Sequence, residues 1–233
     1  MLICFDLDDT LLDHTRAEHE AALHFGMSLG SAGPVGEAFV KFWREVAEKH
    51  MASFLRGEVS FQEQRRRRVR EVTGRTLSDT DADGLFYRYL GVYEAHWKLF
   101  DDVNDCLAAL SVYRLGVISN GNQEQQLKKL RHTGIESCFR FVLSAERAGV
   151  AKPDRAIFVE AAKYADRSDR NCFYVGDNLT VDAEAAKRAG WQGIWLDRKG
   201  SKRVTPLPTI SSLQELPTLI DRLSRTNKSE PLS

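Results

Sequence analysis

Four aspartates crowd one short stretch near the start of the chain, ICFDLDDTLLD, at Asp6, Asp8, Asp9 and Asp13. Crowded carboxylates repel one another, and their pKa values rise until some of them neutralise. A chain that places them directly behind an apolar run needs something positive there. Two more acids stand in GDNLTVD, at Asp177 and Asp182. Ser119 and Asn120 close the run YRLGVISN, and Lys152 lies in GVAKPD. Carboxylates that share a site suit a hard divalent cation, and an all-oxygen ligand set points to Mg²⁺. A hydroxyl, backbone amides and a lysine on the other side suit a phosphoryl group.

For these groups to meet, the elements that carry them must end at one edge. LICFD (2–6) reads as a strand, a continuous apolar run ending in acid. YRLGVIS (113–119), FRFVLSA (139–145), NCFYVGD (171–177) and QGIWLD (192–197) read the same way. Helical segments follow them at 122–134, 154–165 and 180–190, and a helix over 211–226 closes the pattern. TPLPTI (205–210) reads as an edge strand at most, since its prolines cannot donate to a ladder. Strand–helix alternation predicts an α/β fold: a Rossmann-like, doubly wound parallel sheet with right-handed crossovers. In such sheets ligands bind beyond the carboxyl ends of the strands. Asp6, Ser119, Lys152 and Asp177 all follow strand ends.

Residues 15–97 break the alternation. Their apolar residues recur at three- and four-residue spacing, as in Phe39, Phe42, Trp43 and Val46, which predicts an all-helical lobe. Breaks fall at GSAGPVG, RGEVS and GRTLSD, and Ser78 with Asp81 signals a helix start. The expected organisation is an α/β core of residues 1–14 and 98–226, an inserted helical lobe at 15–97, and a frayed tail at 227–233.

Composition excludes some classes. Thirty-three basic residues balance 33 acidic ones, which argues against a dedicated nucleic-acid binder. No apolar run approaches the roughly 18 residues of a membrane span. The first residues lack a basic segment, unlike a signal peptide, so the expected location is cytoplasmic. Cys4, Cys106, Cys138 and Cys172 form no CxxC pair and read as reduced structural thiols.

The motifs resemble those of the haloacid dehalogenase-like (HAD) hydrolases. FDLDDT resembles the family's first motif, DxDx[T/V], and VIS ending at Ser119 the second. Lys152 resembles the third and GDNLTVD the fourth, GDxxxxD. The resemblance covers residues 1 to about 200, and the helical lobe resembles the family's C1-type cap. It implies that Asp6 is a nucleophile giving an aspartyl-phosphate, and that Asp8 is a general acid and base. It implies Mg²⁺ on Asp6, the Asp8 backbone carbonyl and Asp177, with Asp182 in support. Ser119, an Asn120 amide and Lys152 would hold phosphate oxygens.

Asp8 separates branches of the family. The dehalogenases that name it lack an acid there, because a halide leaving group needs no proton. An alkoxide does, so Asp8 favours phosphate-ester hydrolysis. The segments ISNG and GVAKPD look most like the branch of nucleoside 5′-monophosphate phosphatases, with phosphoglycolate and sugar phosphates next. A haloacid dehalogenase or phosphomutase is the alternative within the fold, and a non-catalytic binding module the alternative from another class. The expected partner is a small phosphate ester, and the expected state a monomer or homodimer.

Blander readings apply elsewhere. Asp9 reads as a local turn residue, Asp13 as part of the loop entering the lobe, and Asp182 alone could favour a helix start. His19 and His24 are five apart, about 140° around a helix, which does not fit a zinc pair. The run Arg65, Arg66, Arg67 and Arg68 points four ways and forms no basic face, although Arg68 could turn inward toward substrate charge. Trp43, Phe86, Tyr87, Tyr93 and Trp97 read mostly as lobe core, although one or two could line a pocket and stack on a base or sugar.

Overall fold

A computed structural model describes residues 1–30, 33–165, 172–201 and 203–226. The tail expected at 227–233, and Asn171 at the start of one expected strand, lie outside the described residues. In chain order the elements are β1 (Leu2–Phe5), α1 (His14–Leu29), α2 (Glu37–Leu55), α3 (Phe61–Thr73), α4 (Asp79–Ala95) and α5 (Val103–Ala109). They continue with β2 (Arg114–Ser119), α6 (Gln123–His132), β3 (Phe141–Ser144), α7 (Ala145–Ala148), α8 (Arg155–Ala162) and β4 (Cys172–Gly176). The last are α9 (Glu184–Arg188), β5 (Gln192–Leu196), β6 (Thr209–Ile210) and α10 (Leu216–Thr226). Among the described residues no helix is long and apolar enough to cross a membrane.

Met1–Leu12 and Leu99–Ser233 form one compact unit, and Asp13–Lys98 form a second. The first holds a six-stranded sheet in the order β3-β2-β1-β4-β5-β6. Every pair is parallel. Parallel strands are covered on both faces, and β1 is accordingly buried along its whole length. Leu2, Cys4, Ile118, Phe158, Tyr174 and Trp191 are among the residues of one core cluster. The winding reverses across β1 and β4, which places the ends of those two strands at the topological switch point.

β6 is a two-residue edge strand behind Pro206 and Pro208, as the missing donors require. Two helices differ from the sequence expectation. α5 was not foreseen, although Val103, Cys106, Leu107 and Leu110 bury a helical stripe. α7 fills the expected loop after β3, where Ser144 Oγ accepts from Arg147 N at 3.1 Å.

The second unit contains α1 to α4. Asp13 starts α1 by accepting from Arg16 N at 3.1 Å, and Ser78 starts α4 by accepting from Asp81 N at 3.1 Å. Its core is aromatic: Trp43 is fully buried, 4.3 Å from the Tyr89 ring and 5.3 Å from that of Phe25. Phe86, Tyr93 and Trp97 are buried as well, whereas Tyr87 is 66% exposed and does not belong to the core. A neighbouring helical step carries Tyr87 to the outer face of α4.

The four arginines of α3 separate. Arg65 lies over the rings of Phe61 and Phe86 at 4.3 and 5.0 Å. Arg66 forks onto Asp83 and reaches Asp79 at 2.6 Å, while Arg67 pairs with Glu63. Arg68 turns into its own unit and is buried, its Nε without a hydrogen-bond partner. His19 contacts Glu37, and His24 bonds the carbonyl of Glu20, so neither faces the other across a metal.

Candidate active site

β1 delivers Asp6, whose peptide N donates to Val175 O at 2.9 Å and so extends the ladder one residue past the strand. β4 delivers Asp177. Asp177 N donates to Thr10 Oγ1 at 3.0 Å, and the indole of Trp195 donates to Asp177 O at 2.9 Å. The chain then turns through a short π-helical segment, Leu179–Ala183. Asn178 Oδ1 accepts from Thr180 N and Val181 N, and Asp182 Oδ2 accepts from Asn178 N at 3.0 Å. That reciprocal pair turns Asp182 back over the end of β4. Gly176 makes room for it, because a Cβ at that position would collide with the Asp182 carboxyl group.

One carboxylate oxygen from each of Asp6, Asp177 and Asp182 lies within 4.8 Å of the others. Asp6 and Asp182 are buried. Burial pushes the Asp6 carboxyl well up; Lys152 opposes this, and Asp182 and Asp177 add to it. Asp177 is pushed up to about 7, first by burial and then by the charges of Asp182 and Asp9. Two acids raised in this way, with the Asp182 carboxyl group beside them, leave negative charge unbalanced, and hard oxygen donors at this spacing fit a divalent cation.

Lys152 brings positive charge into this cluster. Its Nζ donates to Asp6 Oδ1 at 2.6 Å, Asp182 Oδ1 at 2.7 Å and Tyr174 OH at 2.7 Å. An ammonium has three donors, and all three are matched. Burial works against the charged lysine, but Asp182 and Asp6 outweigh it and hold the pKa above its ordinary value. Tyr174 OH in turn donates to Ile118 O at 2.7 Å.

Asn120 stands beside this lysine. Its Oδ1 accepts from Lys152 N at 2.7 Å and its Nδ2 donates to Lys152 O at 2.8 Å. The side chain thus clamps the lysine's peptide, next to the cis bond between Lys152 and Pro153. Of the Asn120 groups the sequence offered for a phosphate, the side-chain amide is committed and the backbone amide is the one left. Ser119 is buried, its Oγ accepting from Gln126 Nε2 at 2.6 Å.

Asp8 meets two residues that sequence reasoning passed over. Lys129 Nζ lies 2.5 Å from Asp8 Oδ1, and Gln126 Nε2 donates to Asp8 Oδ2 at 3.1 Å. Asp9 holds φ of +59° in a tight turn, with its N donating to Leu12 O. Aspartate is among the few residues that tolerate that conformation. A short aspartate-rich loop has thereby placed Asp6 and Asp8 in separate surroundings, one among acids and a lysine, the other under α6.

The sheet order, the strand-end acids and the buried lysine define a class: doubly wound α/β proteins with an acidic site at the switch point of the sheet. A family model described as haloacid dehalogenase-like hydrolase matches residues 1–190, and the chain belongs to that family. One relative, haloacid dehalogenase-like hydrolase domain-containing protein 3 of Danio rerio, is 31% identical over 60% of this chain and 60% of its own. Another, pyrimidine 5′-nucleotidase YjjG of Escherichia coli, is 34% identical over 46% of this chain and 49% of its own. These alignments thus span less than two thirds of either relative. Among solved structures, the HAD-hydrolase YfnB from Bacillus subtilis, bound to magnesium, superposes with a TM-score of 0.79 at 22% identity. The superposition covers 94% of this chain and 98% of that one, and it shows a shared fold.

Proposed function

We propose that this chain is a Mg²⁺-dependent phosphomonoester hydrolase of a small metabolite, with nucleoside 5′-monophosphates as the leading substrate class. The observation that carries the reading is the meeting of Asp6, Asp177 and Asp182 within 4.8 Å, with Lys152 bonded to two of them. Asp6, Asp177 and Asp182, with the Asp8 backbone carbonyl, would hold the cation. When bound it neutralises charge on the phosphoryl oxygens and keeps Asp6 ionised. The name of the Escherichia coli relative supports the nucleotide substrate. The buried aromatics of the second unit are committed to their own core, so they offer it no support.

The residues then divide the chemistry. An Asp6 carboxylate oxygen forms a bond to phosphorus as the ester P–O bond breaks. The electron pair leaves on the alcohol oxygen, which takes the proton of the Asp8 carboxyl group. The Asp8 carboxylate next accepts a proton from water as that water's oxygen bonds phosphorus. The Asp6–phosphorus bond breaks, and inorganic phosphate leaves. Ser119, the Asn120 backbone amide and Lys152 stabilise the charge on the transferring group. An incoming phosphate oxygen would replace one of the three acceptors that Lys152 now uses.

The test is phosphate release from purine and pyrimidine monophosphates, phosphoglycolate and sugar phosphates, each with Mg²⁺ and with chelator. Mg²⁺-dependent release from the nucleotides is the expected result, abolished in Asp6→Asn. Full activity in Asp6→Asn would sink the mechanism. Halide release from a 2-haloacid without added metal, and no phosphate from any ester, would replace the reading with a dehalogenase.

A further inference from the structure

Gln126 and Lys129 are three residues apart on α6 and share a face of that helix. Both are buried, at 2% exposure each, and both end on the Asp8 carboxylate, one on each oxygen. Gln126 also donates to Ser119 Oγ, so one amide nitrogen joins Asp8 to the residue after which the phosphate-facing loop begins. Buried lysines are rare unless paired, and this one meets a partly exposed acid belonging to a different strand's loop. Gly121 keeps the arrangement open: a Cβ there would run into the end of the Gln126 side chain. Two side chains of one helix thus converge on the orientation of one carboxyl group.

We infer that Gln126 and Lys129 are positioning residues for Asp8, fixing the direction in which its carboxyl group meets the leaving oxygen. The inference rests on the phosphomonoesterase reading above. Proton transfer from a well-held acid contributes about 10²–10⁴-fold. Much of that is lost when the acid can rotate away. Alkyl esters depend on the transfer because their alkoxide is a poor leaving group. p-Nitrophenyl phosphate does not, because its phenolate leaves unprotonated.

The experiment compares kcat/KM of Lys129→Met, Gln126→Leu, Gly121→Ala and Asp8→Asn with wild type on an alkyl phosphate and on p-nitrophenyl phosphate, with Mg²⁺. Lys129→Met and Gln126→Leu should lose about 10²-fold on the alkyl ester and less than about tenfold on the aryl ester, the bias expected for general acid loss. Gly121→Ala displaces only the end of a flexible side chain and should show the same bias more weakly, which keeps the test alive if the lysine variant fails to fold. Lys129→Met combined with Asp8→Asn should be no slower than Asp8→Asn alone. Equal losses on both esters, or additive losses in the double variant, would overturn the inference while leaving the phosphatase reading intact. A wild-type protein that releases phosphate from neither ester would overturn both.

Discussion

The raised pKa of the Asp177 carboxyl group makes the stability of the metal-free protein depend on pH. Its carboxyl is pushed up to about 7 from 3.8. Between those values the folded state keeps a proton that the unfolded chain has released. Stability therefore falls as pH rises through that window and levels off above it. Each unit is worth about 1.36 kcal/mol, so the upper bound on the cost is about 4 kcal/mol at pH 8. Asp177 retains some exposure, and solvent screening there leaves about half, ~2 kcal/mol. Asp177→Asn removes the charge and keeps the shape. In chelator-treated protein at pH 8 the variant should melt about 4–8 °C higher than wild type, at about 2–4 °C per kcal/mol for a chain of this size. At pH 5 only about one unit of the window has been crossed, and the gap should shrink to under about 1 kcal/mol. Saturating Mg²⁺ should reverse the order, since a ligand at 100 times its Kd adds about 2.7 kcal/mol to the protein that binds it. Calorimetric melts of both proteins in those three conditions decide the matter. A variant that melts with or below wild type in chelator at pH 8 would refute the reasoning about the acid cluster.

Other outcomes follow from single contacts. Gly176→Ala should force the Asp182 carboxyl off the end of β4, cost about 1–3 kcal/mol in urea melts, and shrink the Mg²⁺-induced rise in Tm. Asn120→Ala removes both bonds to the Lys152 peptide; it should cost about 2 kcal/mol and lower phosphate-release kcat/KM about 10²-fold. Asp102 accepts a two-pronged bond from Arg198 at 2.9 Å and further bonds from Ser212 and Leu213. Asp102→Ala removes the arginine's carboxylate partner, leaving it Thr10 O and the Phe100 ring, and should cost about 3 kcal/mol, read as a drop in the urea midpoint with no change in slope.

The legible parts of the molecule are those where one segment carries its own signal. Asp6 follows a run too apolar and too short to be anything but a buried strand, and Asp177 repeats the pattern at β4. The acids therefore announce a shared edge from the sequence alone. The aspartate at 13 read only as part of the loop entering the lobe, yet its side chain starts α1 by accepting from Arg16 N. What stayed hidden depends on partners far along the chain. Gln126 and Lys129 reach a residue 118 and 121 positions away, and on α6 alone they look like ordinary polar helix residues. A three-residue spacing just past Ser119 was the available hint. The use of the Asn120 side chain as a clamp was hidden because it depends on a loop 32 residues on. Tyr174 sits inside an apolar strand, where only the third dimension shows its hydroxyl meeting Lys152. The π-helical turn that aims Asp182 was invisible because its i to i+4 alternative has the same residue pattern. α5 was readable from Val103, Cys106, Leu107 and Leu110, a stripe too short to stand out beside the longer helices.

Asp13 N donates to Lys98 O, Phe100 N donates to Leu11 O, and Leu12 bridges Leu99. The chain that leaves the sheet after β1 thus comes back alongside itself. To the sheet the whole insert is a hairpin with a very long tip. Loop-closure entropy grows only with the logarithm of loop length, so the strand order hardly registers how much chain the tip contains. A different helical insert, or a bare turn spliced between Leu12 and Leu99, would meet the same doorway and leave the acids of the sheet edge at their posts.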